Sequence, residues 1–313
     1  LLLGAVGSGF IATYIGWTAF FLLSLVAVLT IPFILKYVPA EDTRHSHLDV
    51  FGIFLVAVIA TGIVLFMQKF NWWFLLPAVA AIAVFGWHIS TNPDALITRD
   101  FFRNRRYTMM LAVVFVVYSV QLGYQFIFPF LIQGIYGWKL SNVALLLVPG
   151  YSAAVVVGAL SGKIAAHLSS RRAIVIAMTM IAVALAIPAF LIGGWVGTFA
   201  ISMVLFGSGF ALMYAPLLST AIRDVPRAKS GIAIGFYNLI INMAVPIGIA
   251  FAATLRNLGL SLTSFTGQSP KEASYGSVLL ILAIITVLAL LLYRIFIRML
   301  EREDDANAAM MGA

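Results

Sequence analysis

The chain has 313 residues, of which 63% are hydrophobic and 10% charged, and it carries a formal net charge of +8. That balance, with a mean hydropathy of +1.06, excludes an ordinary water-soluble domain. The complete absence of cysteine excludes a disulfide framework, a thiolate metal site and a thiol nucleophile.

The first residues, LLLGAVGSGFIATY, are apolar but only 14 long, too few to cross a bilayer. They read as the tail of a helix that begins upstream, so the chain is expected to be the C-terminal portion of a longer protein. Nine long apolar stretches follow, at 16–35, 50–68, 71–89, 107–133, 141–162, 173–194, 197–222, 231–255 and 275–293. Each approaches or exceeds the roughly 20 residues that a transmembrane helix needs. The segment KYVPAEDTRHSHLD (36–49) is a polar connection. Stretches 50–68 and 71–89 predict a tight hairpin turning at Lys69–Trp73, where Trp72 and Trp73 suit a membrane interface. Next, STNPDALITRDFFRNRRY (90–107) mixes Asp94, Arg99, Arg103, Arg105 and Arg106 with apolar Leu96, Ile97, Phe101 and Phe102. It predicts a short amphipathic surface helix, with Pro93 in its first turn. Six spans then run from Tyr107 to Tyr293, with one long polar connection at Arg256–Ser274. The tail EREDDANAAMMGA (301–313) has no apolar periodicity and is expected to be disordered.

The basic residues orient these spans. Gaps 36–49, 90–106, 163–172 and 223–230, with the tail from 294, hold 15 of the 19 Lys+Arg residues. These are every second gap, as expected if they remain cytoplasmic. The positive charge therefore belongs beside anionic lipid rather than nucleic acid. The expected division is the end of an N-terminal bundle at 1–38, a connection and hairpin at 39–90, a linker at 91–106, a six-helix bundle at 107–300 and the tail.

Polar residues are uneven across the six spans. Stretch 107–133 carries Tyr118, Gln121, Tyr124 and Gln125; 197–222 carries Ser208, Tyr214 and Ser219; 231–255 carries Tyr237, Asn238 and Asn242. Stretches 173–194 and 275–293 are almost wholly aliphatic. Unpaired polar groups are costly in hydrocarbon, so the polar helices are expected to wall a cavity and the aliphatic ones to stand outside it. Stretch 141–162 adds a bend at Pro149-Gly150 and small packing residues. Tyr118, Gln121 and Gln125 fall on one helix face, as do Asn238 and Asn242. With Tyr214 they form the candidate substrate cavity, since aromatic faces and neutral amides suit a flat, hydrogen-bonding ligand. Hydrogen bonding between helices is the alternative role for the same residues. Pro216 and Pro246 mark helix bends.

Several segments carry a family resemblance: GAVGSGFIATYIGWTAFFLL, LDVFGIFLVAVIATGIVLF, NPDALITRDFFRNRRY, LVPGYSAAVVVGALSGKIAAHLSSRR, LFGSGFALMYAPLLSTAI and VPRAKSGIAIGFYNLI. Over essentially its whole length the chain resembles the fourteen-span drug:proton antiporters of the major facilitator superfamily, and among them the tetracycline-efflux proteins of Gram-positive bacteria. The resemblance implies an all-α polytopic fold of two six-helix bundles separated by a hairpin, here partial, with cavity-lining helices at 107–133, 141–162, 197–222 and 231–255. It implies that Gly4, Gly7 and Gly9 are the remnant of a glycine-rich motif at the bundle interface; generic small-residue packing is the alternative. GKIAAHLSSRR is similar to the family's cytoplasmic Gly-x-x-x-Asp-Arg-x-Gly-Arg-Arg loop. His167, Leu168 and Ser170 depart from that pattern, so only Arg171 and Arg172 are carried over as gating candidates.

All eleven acidic residues lie outside the spans, with only Asp49 bordering one, at a helix start that favours a carboxylate. Proton coupling needs a group that binds and releases H⁺ within the membrane. Asn238 and Asn242 cannot do so, and His88 and His167 read as loop-proximal. The coupling group is thus expected upstream, in the absent N-terminal bundle. The leading expectation is a proton-coupled exporter of drug-like amphipathic compounds, in a bacterial cytoplasmic membrane with a cytoplasmic C-terminus. Its partners would be a small-molecule substrate, protons and the bilayer, with no nucleic acid, no metal and no cofactor beyond the proton gradient. The alternatives are transport of monovalent cations or of an endogenous metabolite or lipid, or a truncated protein that transports nothing. Enzyme activity is not expected: there is no paired intramembrane acid and no phosphate-binding glycine loop.

Overall fold

The computed structural model describes residues 28, 31–37, 49–92, 104–226 and 229–311. The described residues are all-α. A short helix, α1 (Ile31–Tyr37), ends the first apolar stretch, most of which lies outside the described residues. The hairpin helices are α2 (Val50–Lys69) and α3 (Trp72–Thr91). The bundle begins with α4 (Arg105–Tyr136). A continuous helical segment from Leu140 to Leu191 follows, broken only at Ser169 (φ 64°, ψ 149°), and it comprises the spans α5 (Leu140–Ile164) and α6 (Ala166–Leu191). Then come α7 (Gly197–Ile222), α8 (Ser230–Asn257), a 3-10 turn at Ser264–Thr266 and α9 (Pro270–Met311). Eight helices, α2 to α9, are long and apolar enough to cross a membrane, which makes this a multi-pass membrane protein.

Local chemistry explains where these helices start and stop. Asp49, Asn71 and Asn104 each accept a hydrogen bond from a backbone N–H of the first turn, at 2.7, 3.1 and 3.0 Å, satisfying donors that a helix start leaves orphaned. Gly137, at φ 68°, ends α4 in the left-handed conformation that glycine adopts without a Cβ penalty. Two expectations need correction. The gap 163–172 is helical apart from Ser169. The tail expected to be disordered continues α9 as far as Met311; its Glu, Arg, Ala and Met residues are good helix formers, so nothing local stops the helix early. The amphipathic helix expected over 90–107 falls mainly on residues 93–103, outside those described.

The core lies among α4, α6, α7 and α9 around Tyr124, Phe128, Phe199, Met178 and Leu279, all inaccessible to solvent. Several of its buried polar groups are paired, as a low-dielectric interior favours, while the Tyr293 hydroxyl finds no hydrogen-bond partner among the described residues. The Tyr124 hydroxyl lies 2.8 Å from Ser202 Oγ, which donates to the Ala184 carbonyl at 2.5 Å, joining α4, α7 and α6. Tyr107 ties α4 to α8 by donating to the Ala233 carbonyl at 2.7 Å. Those two helices also meet backbone to backbone: a Cβ on Gly248 would sit 2.0 Å from the Ser119 carbonyl oxygen, so only glycine permits this approach. The hairpin helices pack on each other, and α2 also touches α8. At the bundle end away from the basic gaps, Lys271 donates to the Gly134 carbonyl at 2.7 Å. There too, Arg256 lies 5.4 Å from the ring centres of both Phe130 and Tyr275.

Candidate functional site

A cavity of about 670 Å³ opens between α4, α5 and α7. Helical spacing builds its walls. Tyr118, Gln121 and Gln125 project from α4, Tyr151 from α5, and Phe206, Phe210 and Tyr214 from α7. Tyr118 meets Phe210 edge-on at 5.0 Å between ring centres, a favoured aromatic geometry worth ~0.5–1.5 kcal/mol beyond simple burial. Phe206 in turn packs edge-on against core Tyr124 at 4.8 Å, so the aromatic wall is anchored to the core. Beside it, α5 and α7 come into backbone contact: a Cβ on Gly207 would lie 2.4 Å from the Gly150 carbonyl oxygen, and one on Gly150 would lie 2.6 Å from that of Met203.

Among the described residues, no charged side chain lines this cavity. Its polar groups are hydroxyls and neutral amides, set in an apolar and aromatic surface. Such a lining offers stacking and a few directed hydrogen bonds, without electrostatic selection for an ion. The aliphatic helices α6 and α9 contribute nothing to it, in keeping with the polar pattern of the sequence.

Four of the six cavity candidates, Tyr118, Gln121, Gln125 and Tyr214, are brought together here. Asn238 and Asn242 are not. Both are exposed on α8, and the Asn242 amide donates back to the Asn238 carbonyl at 2.8 Å. The neighbour of Asn238 on α8, Tyr237, is buried instead. Tyr237 and Asn238 are adjacent in the sequence, but a helix turns about 100° in that step. Phe206 and Phe210 escaped the sequence reading. Their signal was present, because 206, 210 and 214 recur every fourth residue on one face.

Gly4, Gly7 and Gly9 lie outside the described residues. Arg171 is engaged within its own bundle, its NH1 lying 2.6 and 2.5 Å from the two carboxyl oxygens of Glu301 on α9. Arg172 is exposed nearby. His88 stands in the last turn of α3, the loop-proximal place the sequence suggested. It is buried, with Nε2 standing 2.9 and 3.0 Å from the two oxygens of Asp49 and its ring edge-on to Phe51. Sequence separation hid this pair, because 39 residues lie between the partners and only antiparallel pairing of α2 with α3 unites them. His167 is exposed.

Comparison with known proteins adds a family. The profile of the Major Facilitator Superfamily matches residues 1–249. A putative multidrug resistance protein, MdtD of Yersinia enterocolitica, is 23% identical over 308 residues, covering 93% of this chain and 65% of its own length. The multidrug resistance protein Stp of Mycobacterium tuberculosis is 24% identical over 272 residues, 83% of this chain and 50% of the relative. The riboflavin transporter RibZ of Clostridioides difficile is 25% identical over 268 residues, 79% of this chain and 56% of the relative. The chain thus spans between 50% and 65% of the length of these relatives.

Proposed function

The chain belongs to the major facilitator superfamily, a family of membrane transporters and not of enzymes, and on that premise we propose that it is the substrate-facing portion of a proton-coupled exporter of flat, amphipathic, drug-like compounds. Tetracycline is a candidate substrate of this kind. The observation that carries this reading is the uncharged aromatic and amide lining of the cavity between α4, α5 and α7. A fused-ring ligand would stack on Tyr118 and Phe210 while Gln121 and Gln125 exchange hydrogen bonds with its polar edge. Two of the relatives are named for multidrug resistance and a third for transport of riboflavin, itself a flat amphipathic ring. An endogenous ring metabolite is therefore the second reading. Monovalent cations are disfavoured as cargo, because the lining offers them no acidic side chain.

In this proposal α2 and α3 are the hairpin between two bundles, and α4 to α9 form the second bundle. The exposed α8 face with Gly231, Gly235, Asn238 and Asn242 would meet the first bundle during alternating access. Among the described acids of the bundle, Asp224 and Glu272 stand at helix ends and Glu301 at the end of the membrane-spanning part of α9. The proton-carrying group is therefore placed in the preceding bundle. Segregation of 15 of 19 Lys+Arg residues to alternate gaps supports a cytoplasmic basic end, in a bacterial cytoplasmic membrane.

The deciding experiment uses the full-length protein in inverted vesicles. An imposed pH gradient should drive tetracycline accumulation, and Tyr118→Ala should reduce it. Accumulation indifferent to collapse of the gradient would sink the proton coupling; accumulation indifferent to Tyr118→Ala would sink this cavity as the site. Because the chain has no cysteine, orientation can be read by single-cysteine labelling. His167→Cys should react with an impermeant maleimide in intact cells only after permeabilisation, and Ser264→Cys without it.

A further inference from the structure

The basic end of the bundle contains a second cavity, of about 1310 Å³, lined from the starts of α4 and α6 and the ends of α7 and α9. Six arginines line it: Arg106, Arg171, Arg172, Arg223, Arg294 and Arg298. Two acids among the described residues answer them. Arg106 Nε lies 2.6 Å from Asp224 Oδ2, and Arg171 is held by Glu301. Among the described residues, Arg172, Arg223, Arg294 and Arg298 make no ion pair. Several like charges converging on one concavity repel one another and raise the local concentration of anions. The guanidinium fork suits a phosphate group in particular, because it donates two parallel hydrogen bonds.

Phosphates occur both free in solution and on lipids, and the surroundings of the cavity distinguish between them. Val175 and Ile176 of α6 and Ile297 and Leu300 of α9 give it an apolar wall. Two exposed apolar stripes also run into it. On α9, Ile284, Val287, Leu288, Leu291 and Ile295 recur at three- and four-residue steps, and Arg294 and Arg298 continue that face. On α6, Phe190, Val183 and Ile176 form a similar stripe, one turn from Arg172. The two helices touch at both ends, at Ala189 against Gly276 and at Arg171 against Glu301. An acyl chain lying along this seam would bring its headgroup phosphate to the arginines.

We propose that this cavity binds the phosphate headgroup of one anionic phospholipid, whose acyl chains lie along the seam between α6 and α9. The site is separate from the neutral cavity, and its occupation does not depend on which substrate the protein carries.

The test is native mass spectrometry of the purified full-length protein, titrated with phosphatidylglycerol or phosphatidylcholine. One phosphatidylglycerol should be retained per chain, about tenfold in preference to phosphatidylcholine, since each basic residue near an anionic headgroup contributes appreciably. Arg172→Gln with Arg298→Gln should lower that retention about tenfold or more. Arg256→Gln, which removes one charge at the opposite end, should leave it intact. Equal retention of the two lipids by the unsubstituted chain would overturn the proposal whatever the variants do. Undiminished retention in a double variant with an unchanged melting temperature would overturn it as well. Inorganic phosphate that displaced the lipid at equal concentration would assign the cavity to a soluble anion and likewise overturn it. If the double glutamine variant fails to fold, the double lysine variant serves: it keeps the charge, and the lipid preference should persist.

Discussion

The two cavities of the bundle share α4 and α7, yet one is lined without a single charge and the other by six arginines. The difference lies in depth along the same helices. In α4, Arg106 stands in the first turn, at the basic end, whereas Tyr118, Gln121 and Gln125 lie three to five turns further along. In α7, Tyr214 faces the neutral cavity, while Ser219, Thr220 and Arg223 at the helix end face the basic one. A charge in mid-membrane costs several kcal/mol, whereas at a helix end it can reach headgroups and water. Selection in the neutral cavity thus falls to shape, stacking and hydrogen bonds, and selection in the basic cavity to charge.

This contrast can be broken most severely at Gly207. Gly207→Leu would drive α5 and α7 apart where they touch at Gly150, at a cost of about 3 kcal/mol. The melting temperature of the detergent-solubilised chain should fall clearly, while an unchanged melt would show that this contact does not hold the neutral cavity together. Next, Tyr118→Ala in the full-length protein should weaken a flat aromatic ligand about tenfold, matching loss of an aromatic pair. That variant should leave phosphatidylglycerol retention alone, as titration of both ligands would reveal. Salt sharpens the contrast without mutation. Raising ionic strength from ~0.01 M to ~1 M shortens the screening length from about 30 to about 3 Å. Ligand affinity at the neutral cavity should hold within about twofold, and lipid retention at the basic cavity should drop several-fold. A smaller effect is expected from Glu301→Gln. It frees Arg171, so lipid retention should rise, while stability changes by less than about 1 kcal/mol because the ion pair is solvent-exposed. The smallest effect belongs to Asn238→Ala with Asn242→Ala, which should shift stability by no more than about 0.5 kcal/mol and leave cavity binding unchanged.

How much of this was legible in the sequence depended on whether the signal was local. Hydrophobic runs gave α2 to α5, α7 and α8 to within three residues at each end, because lipid imposes a length that no neighbouring helix alters. By contrast, α6 begins seven residues earlier than expected and α9 runs well past both expected ends. The spacing of Tyr118, Gln121 and Gln125 placed three wall residues, since one helix face is a local property. Asn238 and Asn242 lie outside this cavity, because polarity marks a helix as non-lipid-facing without saying which way each side chain turns. Tyr237, read only as one of the polar residues of its stretch, is buried, a placement that polarity alone does not reveal. The arginine cavity was invisible for a different reason. Its cations come from separate connections and helix ends, and in one dimension they read only as the positive charge of those gaps. The Asp49–His88 contact depended likewise on two helices lying side by side.

That contact carries a consequence for how such a chain could be assembled over evolutionary time. With Asp49 and His88 bonded, the entry and exit of the hairpin emerge next to each other. A segment with adjoining ends can be inserted into a chain, or deleted from it, without dragging the flanking parts out of place. The hairpin also supplies its own internal packing, at Gly62 against Ala78, and its own turn at Asn71. It therefore has the properties of a cassette: a pair of spans closed by its own clasp, which a chain could gain or lose at little structural penalty.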